Sequence, residues 1–117
     1  FCNFNLMVMD DGPIHIGDNV MFGPNVSLMA TNHPLIPEER FAMKYPDAHV
    51  SMSEFTEGIT IGDNVWIASG VIVCDGVHIG SNAVIGAGSI VTKDIPDGWL
   101  AVGNRCKLVK EINQEML

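Results

Sequence analysis

Residues 61–96, IGDNVWIASGVIVCDGVHIGSNAVIGAGSIVTKDIP, decide the fold because they divide into six hexads. The fifth position of each hexad is small or aliphatic, and Gly or Asn often stands at the second or fourth position. A helix does not repeat every six residues and a simple hairpin sheet repeats every two, whereas a short strand followed by a tight turn has this period. The first position is always aliphatic: Ile61, Ile67, Val73, Ile79, Ile85 and Val91.

Three such hexads close one triangular coil of about 18 residues, with the first position pointing inward and Gly, Asn or Asp serving the bend. Coils stack about 4.8 Å apart, and each strand pairs with the strands above and below it. The same phase runs through residues 4–33, as FNLMVM, DDGPIH, IGDNVM, FGPNVS and LMATNH, and FTEGIT at 55–60 adds a further hexad. The repeat therefore predicts an all-β fold, a parallel β-helix of about four coils.

The period fails between residues 34 and 54, in the segment PLIPEERFAMKYPDAHVSMSE. This is longer than the roughly 12–15 residues usual for an unstructured loop in a compact domain. Such a long inserted loop is either a functional lid or a decoration on a rigid scaffold, and its start directly after His33 favours the lid. The sequence KLVKEINQEML, residues 107–117, predicts a short C-terminal helix that caps the stack. We expect one β-helix domain over residues 1–106, the loop insertion at about 34–54 and a helical tail over 107–117.

The net charge of −8 argues against nucleic acid and against an anionic membrane surface as partners. No apolar run approaches the roughly 20 residues of a membrane span. The three cysteines are odd in number and lack metal-ligand spacing, which predicts reduced thiols and a cytoplasmic protein. Since the chain begins with Phe1 and the repeat is already running there, we expect an N-terminal part of the full protein to be absent.

Four of the six basic residues fall in the last 25 positions. An acidic protein that holds an anion would gather its few cations in this way, but a solvated C-terminal segment with acidic residues interspersed gives the same pattern. The sequence alone is consistent with both an anion site and a solvated segment. The four residues are Lys93, Arg105, Lys107 and Lys110.

His33 occupies the sixth position of its hexad, which points away from the core. An exposed histidine at a coil corner beside a loop can act as a general base, because imidazole titrates near neutral pH. His15 lies three hexads earlier and is predicted one coil below at the same corner, so the pair could also bind a metal with a third ligand from a neighbouring subunit. The plainer alternative is that outward positions are simply polar.

The motifs NFN (3–5), DD (10–11), IGDNV…GPNV (16–26), NHP (32–34), IGDNVWI (61–67) and IGAGSIVTKDIP (85–96) together resemble the sugar O-acetyltransferases. These are the maltose and galactoside acetyltransferases of the hexapeptide-repeat superfamily, and the resemblance covers nearly the whole chain. It implies a left-handed β-helix, a homotrimer, acetyl-CoA as donor and a small hydroxylated acceptor. We expect no metal requirement.

The resemblance assigns roles by position. It makes His33 the catalytic base, matches Asn3 and Asp11 to acceptor-binding residues, and places Trp66 near the active site. Asn3 and His33 are separated by one coil and two thirds of another, which puts them on different corners of the prism, so they converge only where two chains pack together. The implied coenzyme residues are Ser69, Ala87, Thr92 and Lys93 along the groove, with Lys107 and Lys110 near the phosphate end.

The chain departs from the family pattern at three positions that concern coenzyme binding more than the reaction. Ala68 stands where the family usually has glycine, Asp75 where it has proline, and Arg105 where it has the proline of GNPAK.

The sequence therefore predicts an acetyl-CoA-dependent O-acetyltransferase that transfers the acetyl group directly to a hydroxyl of a sugar or related small molecule. One alternative is transfer to an amine or an antibiotic hydroxyl. A second is a metal-dependent hydratase built on His15, His33 and a third histidine, and a third is a silent scaffold that serves trimer assembly.

Overall fold

The computed structural model describes residues 1–38 and 56–113, which form a three-sided parallel β-helix of short strands. The strands are β1 (Met7–Met9), β2 (Ile14–Ile16), β3 (Met21–Phe22), β4 (Ser27–Met29), β5 (Ile59–Ile61), β6 (Trp66–Ile67), β7 (Ile72–Cys74), β8 (His78–Ile79), β9 (Val84–Ile85), β10 (Ile90–Val91), β11 (Trp99–Val102) and β12 (Lys107–Glu111).

Successive strands belong to three different sheets, as a triangular coil requires. Sheet A contains β3, β6, β9, β11 and β12, sheet B contains β1, β4, β7 and β10, and sheet C contains β2, β5 and β8. After the insertion, Ile61 pairs with Ile79, the residue that stands three hexads later, so the predicted coil length is confirmed there. We name the corners by the sheets they join in chain order: CA, AB and BC.

The core is a set of stacked ladders from the first and fifth hexad positions. All twelve of these side chains between residues 61 and 96 are buried, because both positions flank a corner and turn into the prism. Ser89 is the only polar one among them. Its hydroxyl donates to the Gly86 carbonyl at 2.6 Å and accepts the Gly103 N–H at 2.9 Å, so the buried oxygen is satisfied.

Corner CA is held by a ladder of asparagines. Asn19, Asn64 and Asn82 have φ values of 57°, 57° and 63°, in the left-handed region where Asn is tolerated and most side chains are strained. The Asn19 amide donates to Asn64 at 3.3 Å, and the Asn64 amide donates to Asn82 at 3.2 Å. The asparagine of IGDNV is therefore both the bend and the link between coils.

The predicted phase of the first hexad is wrong by two residues. Leu28 begins a hexad and pairs with Val8, whereas an unbroken repeat would pair it with Asp10. Val8 therefore takes the register of a first position, and Phe4, which the repeat assigned to that position, is 79% exposed. Ile16 pairs with Ile61 in the regular phase, which places the two extra residues between β1 and β2, at residues 10–13 of corner BC.

The predicted C-terminal helix is also wrong over the described part of the tail. Residues Lys107–Glu111 form β12, which pairs antiparallel with β11 and belongs to the β-helix. An isolated helix of this length is marginal in water, whereas the last parallel strand offers a row of unpaired backbone groups. Strand addition satisfies those groups. Residues 114–117 lie outside the described residues.

The inserted segment separates β4, which ends at Met29, from β5, which begins at Ile59. Most of the predicted loop, from residue 39, lies outside the described residues, so the lid stays a prediction. The chain returns to the prism at Glu57 and Gly58, whose N–H groups donate to the Asp75 carboxylate at 2.9 and 2.8 Å. Over the described ranges, no helix is long and apolar enough to cross a membrane.

Candidate active site

His33 lies at corner BC with its side chain exposed. The chain around it is anchored, because Ala30 before it and Pro34 after it are buried. Its backbone N–H donates to the Asn32 side-chain oxygen at 2.9 Å, which restrains the peptide at this position. The corner therefore presents the imidazole to solvent from a backbone fixed on both sides, as the hexad phase predicts.

Asp11 lies at the same corner, one coil below. The Thr31 hydroxyl donates to the Asp11 Oδ2 at 2.7 Å, and the Gly12 N–H donates to the Ala30 carbonyl at 2.9 Å. Thr31 is two residues before His33, so a hydrogen bond between coils joins the acid to the segment that carries the histidine. The structure thus brings together two of the three residues that the resemblance assigns to the acceptor and the base.

Asn3 lies on a different corner, AB. Its N–H donates to the Phe22 carbonyl at 3.1 Å, which places it beneath the turn that follows β3. Its side-chain oxygen accepts the Phe4 N–H at 2.9 Å, so the amide NH₂ remains as the donor toward a ligand. The predicted separation of Asn3 and His33 within one chain is confirmed.

The predicted stacking of His15 beneath His33 is wrong. His15 pairs with Thr60 in the middle of sheet C, and Thr60 pairs with His78 above it. The chain leaves the repeat after β4, before it reaches sheet C, and the strand that stacks on β2 is β5, which follows the insertion, so an interval of three hexads does not mean one coil here. Within residues 1–38 and 56–113, no three His, Cys, Asp or Glu side chains come close enough to hold a metal ion.

An open groove of about 520 Å³ runs beside corner AB and brings together Trp66, Ser69 and Ala87. Trp66 is 51% exposed and forms one wall of the groove. Neither the Ser69 nor the Ala87 backbone N–H bonds to another described residue, so both donors are available to a ligand. Ala68 lines the same groove, which accommodates its methyl group.

The remaining predicted coenzyme residues lie near the last coil. Thr92 is exposed just after β10, and Lys110 lies opposite Leu100, a residue of the groove wall. Lys93 and Lys107 line a second cavity of about 300 Å³, shared with Asp94, Ile95, Arg105, Cys106 and Leu108.

Arg105 is the residue that the sequence did not place in a site. The signal was present, since Arg105 is one of the clustered cations and replaces a proline of the family pattern, but only the fold shows that it shares a cavity with Lys93 and Lys107. Burial raises the pKa of the Cys106 thiol in the same cavity, and a hydrogen bond with Ser89 partly offsets the rise.

Known proteins are similar to this chain in sequence and in fold. The bacterial transferase hexapeptide family (six repeats) matches residues 58–93. The galactoside O-acetyltransferase of Escherichia coli (strain K12) is 50% identical over 113 residues, covering 97% of this chain and 51% of the relative. A crystal structure of a maltose O-acetyltransferase from Clostridium difficile 630 superposes with a TM-score of 0.84 at 42% identity, covering 97% of this chain and 56% of that one.

A galactoside acetyltransferase in complex with coenzyme A superposes with a TM-score of 0.83 at 46% identity, covering 97% of this chain and 52% of that one. The chain thus spans about half the length of the curated relatives that it matches. Over the residues that it spans, this chain is similar to galactoside and maltose O-acetyltransferases, and its residues 58–93 match the bacterial transferase hexapeptide family.

Proposed function

We propose that the protein is an O-acetyltransferase that moves the acetyl group of acetyl-CoA to a hydroxyl of a sugar or related small molecule. The observation that carries the proposal is the hydrogen bond from Thr31 to Asp11, which ties this carboxylate to the segment that carries the exposed His33 at corner BC. The relatives named above act on galactosides and maltose by their names, which supports a carbohydrate hydroxyl as acceptor.

His33 is the general base of the proposed reaction. Neutral imidazole takes the proton from the acceptor hydroxyl while that oxygen bonds to the thioester carbonyl carbon. The carbon–sulfur bond then breaks, and the imidazolium returns the proton to the leaving thiolate. The acetyl group passes directly between substrates, so no cysteine nucleophile is needed.

Asp11 and Asn3 orient the acceptor. The Asp11 carboxylate can accept a hydrogen bond from one sugar hydroxyl, and the Asn3 amide NH₂ can donate to another. Holding the reacting hydroxyl within reach of His33 lowers the barrier substantially, because it replaces a bimolecular encounter with a fixed geometry. Trp66 lines the groove beside corner AB, so it supplies an aromatic wall from the chain that contributes Asn3.

The coenzyme is proposed to lie along the groove at corner AB. The free N–H groups of Ser69 and Ala87 suit the amide carbonyls of its pantetheine arm, and Thr92 and Lys110 flank the path. Lys93 and Lys107 supply positive charge at the phosphate end. The similar galactoside acetyltransferase with bound coenzyme A supports this assignment.

We propose a homotrimer with sites between subunits, which the separation of Asn3 and His33 supports. The exposed faces of sheets A and B support this assembly. Met21 and Trp66 on sheet A, and Met7 and Met9 on sheet B, expose apolar side chains that a neighbouring copy would cover. We propose the left-handed winding of the family for the coil. The free cysteines, Cys2, Cys74 and Cys106, fit a cytoplasmic location.

The test measures free thiol released from acetyl-CoA by the full-length protein with a panel of sugars, amines and hydroxylated antibiotics. Acceptor-dependent release is expected with a sugar, and His33→Ala should lower kcat by about 10²–10⁴-fold, the usual effect of removing a general base. His15→Ala is the matched control, since that histidine lies on sheet C, and it should retain activity.

Release that persists in His33→Ala removes that residue from its role. Preference for an amine or an antibiotic moves the acceptor to another class. Failure to bind coenzyme A at all overturns the transferase.

A further inference from the structure

Three cationic side chains line one small cavity at the last coil. Lys93 follows β10, Arg105 lies in the turn between β11 and β12, and Lys107 begins β12. The protein carries six basic residues and a net charge of −8, so half of its cations line this one cavity. Its floor includes the apolar side chains of Ile95 and Leu108.

These charges are not neutralised by the part of the chain that the structure describes. None of the three side chains makes an ion pair or hydrogen bond with residues 1–38 or 56–113. Among the described residues, the cavity holds one carboxylate, Asp94, and its Oδ1 accepts the His78 N–H at 2.8 Å. Like charges beside an apolar floor repel one another, and a bound anion would relieve that repulsion.

The Arg105 side chain is chemically suited to a phosphate. Its planar guanidinium can donate two parallel hydrogen bonds to phosphate oxygens, and it keeps its charge at any working pH. A proline, which this position carries in the family pattern, has neither the charge nor a donor. The third cation is therefore a property of this chain.

We infer that Arg105, with Lys93 and Lys107, binds a phosphate group of the coenzyme and sets the preference of this site for phosphorylated forms. The inference rests on the proposed function for the identity of the ligand. The chemistry is shared by the 3′-phosphate and the pyrophosphate of coenzyme A, and the experiment separates them.

Isothermal titration of the full-length protein with coenzyme A and with dephospho-coenzyme A tests the inference in wild type, Arg105→Gln, Arg105→Lys and Asp94→Asn. Arg105→Gln should raise the Kd for coenzyme A about 10-fold, the effect of one charge-assisted hydrogen bond, and Arg105→Lys should recover part of it. Asp94→Asn removes the opposing charge but keeps an oxygen for the His78 N–H, so it should tighten binding.

If Arg105→Gln weakens the binding of coenzyme A but not of dephospho-coenzyme A, Arg105 binds the 3′-phosphate. If the affinity for both ligands falls equally, Arg105 binds the pyrophosphate. Cys106 gives a second readout, since coenzyme A in this cavity should slow alkylation of its thiol. Unchanged affinities in Arg105→Gln, in a protein that still transfers acetyl groups, overturn the inference and leave the proposed function standing. Absence of coenzyme binding by wild type overturns both.

Discussion

The Thr31 hydroxyl joins Asp11 to the segment carrying His33, so its removal tests the site at the scale of one hydrogen bond. Thr31→Val keeps the shape of the side chain and deletes the donor. The Asp11 carboxylate should then sample more orientations, and the KM for the acceptor should rise about 5- to 10-fold, the usual net effect of one hydrogen bond. The KM for acetyl-CoA should stay close to wild type in the same steady-state measurements.

Thr31→Ser is the matched control because it keeps the hydroxyl and should recover most of the acceptor affinity. A double-mutant cycle with Asp11→Asn separates positioning from general destabilisation, since two residues acting through one bond give effects smaller than the sum. Equal kinetics for the Val and Ser variants, or additive effects in the cycle, would assign Thr31 a structural role only.

The cysteines give a prediction with a defined pH dependence. Burial raises the pKa of the Cys74 thiol and of the Cys106 thiol above their ordinary value, which lowers the thiolate fraction at a given pH. Because the thiolate is the reactive form, alkylation of both by iodoacetamide should be slow near pH 8 and still be rising at higher pH. Cys2 is exposed and should be modified first.

Peptide mapping of the alkylated protein over a pH series measures these rates. Faster modification of Cys74 or Cys106 than of Cys2 near pH 8 would contradict the prediction. The same mapping would show whether subunit contacts cover any of the three thiols.

At the residue scale, the hexad phase is sufficient to predict that the His33 side chain is exposed, because outward and inward positions follow from the repeat alone. Thr31 and Arg105 were missed for a different reason. Their roles depend on which side chain of another coil or turn lies beside them, and two extra residues at positions 10–13 change that pairing for Thr31. The error for His15 has another origin, since the strand that covers it is β5, which follows the insertion.

At the scale of elements, Asp75 holds the end of the inserted segment to the next coil. It accepts the N–H groups of Glu57 and Gly58 where the family pattern has proline, a residue without a carboxylate. Asp75→Ala should lower the free energy of unfolding by about 1–3 kcal/mol, since two N–H groups lose a charged acceptor. Urea denaturation followed by circular dichroism measures this change.

Asp10→Ala serves as the control, because the Asp10 side chain is exposed and makes no hydrogen bond within the described ranges. It should change the unfolding free energy by less than about 0.5 kcal/mol. A similar loss in both variants would mean that Asp75 contributes only its charge.

The strands of the repeat were predictable because each hexad encodes its own bend and its own buried positions. The strand at the C-terminal tail was not predictable in this way. Its local pattern is compatible with a helix, whereas the unpaired edge of β11 favours a strand. That edge exists only once the last coil has formed.

At the scale of the whole molecule, the separation of the site residues predicts complementation between inactive chains. His33 lies on corner BC and Asn3 on corner AB, so a site between subunits takes one residue from each of two chains. Co-expression of His33→Ala with Asn3→Ala, each carrying its own affinity tag, should yield mixed trimers that contain intact sites. With random assembly, about one quarter of the sites receive both wild-type residues.

The matched control is a mixture of His33→Ala with Asp11→Asn. Thr31 ties Asp11 to the corner of the same chain that carries His33, so both substitutions affect the same side of a site. Each site takes both His33 and Asp11 from one chain, and that chain always carries one of the two substitutions, so the mixture should recover no activity.

Recovery in the first mixture and none in the second would show that each site takes Asp11 and His33 from one chain and Asn3 from its neighbour. Absence of recovery in both, from trimers confirmed by light scattering, would confine each site to a single chain. Because Asn3 and His33 lie on different corners of that chain, Asn3 would then leave the acceptor site.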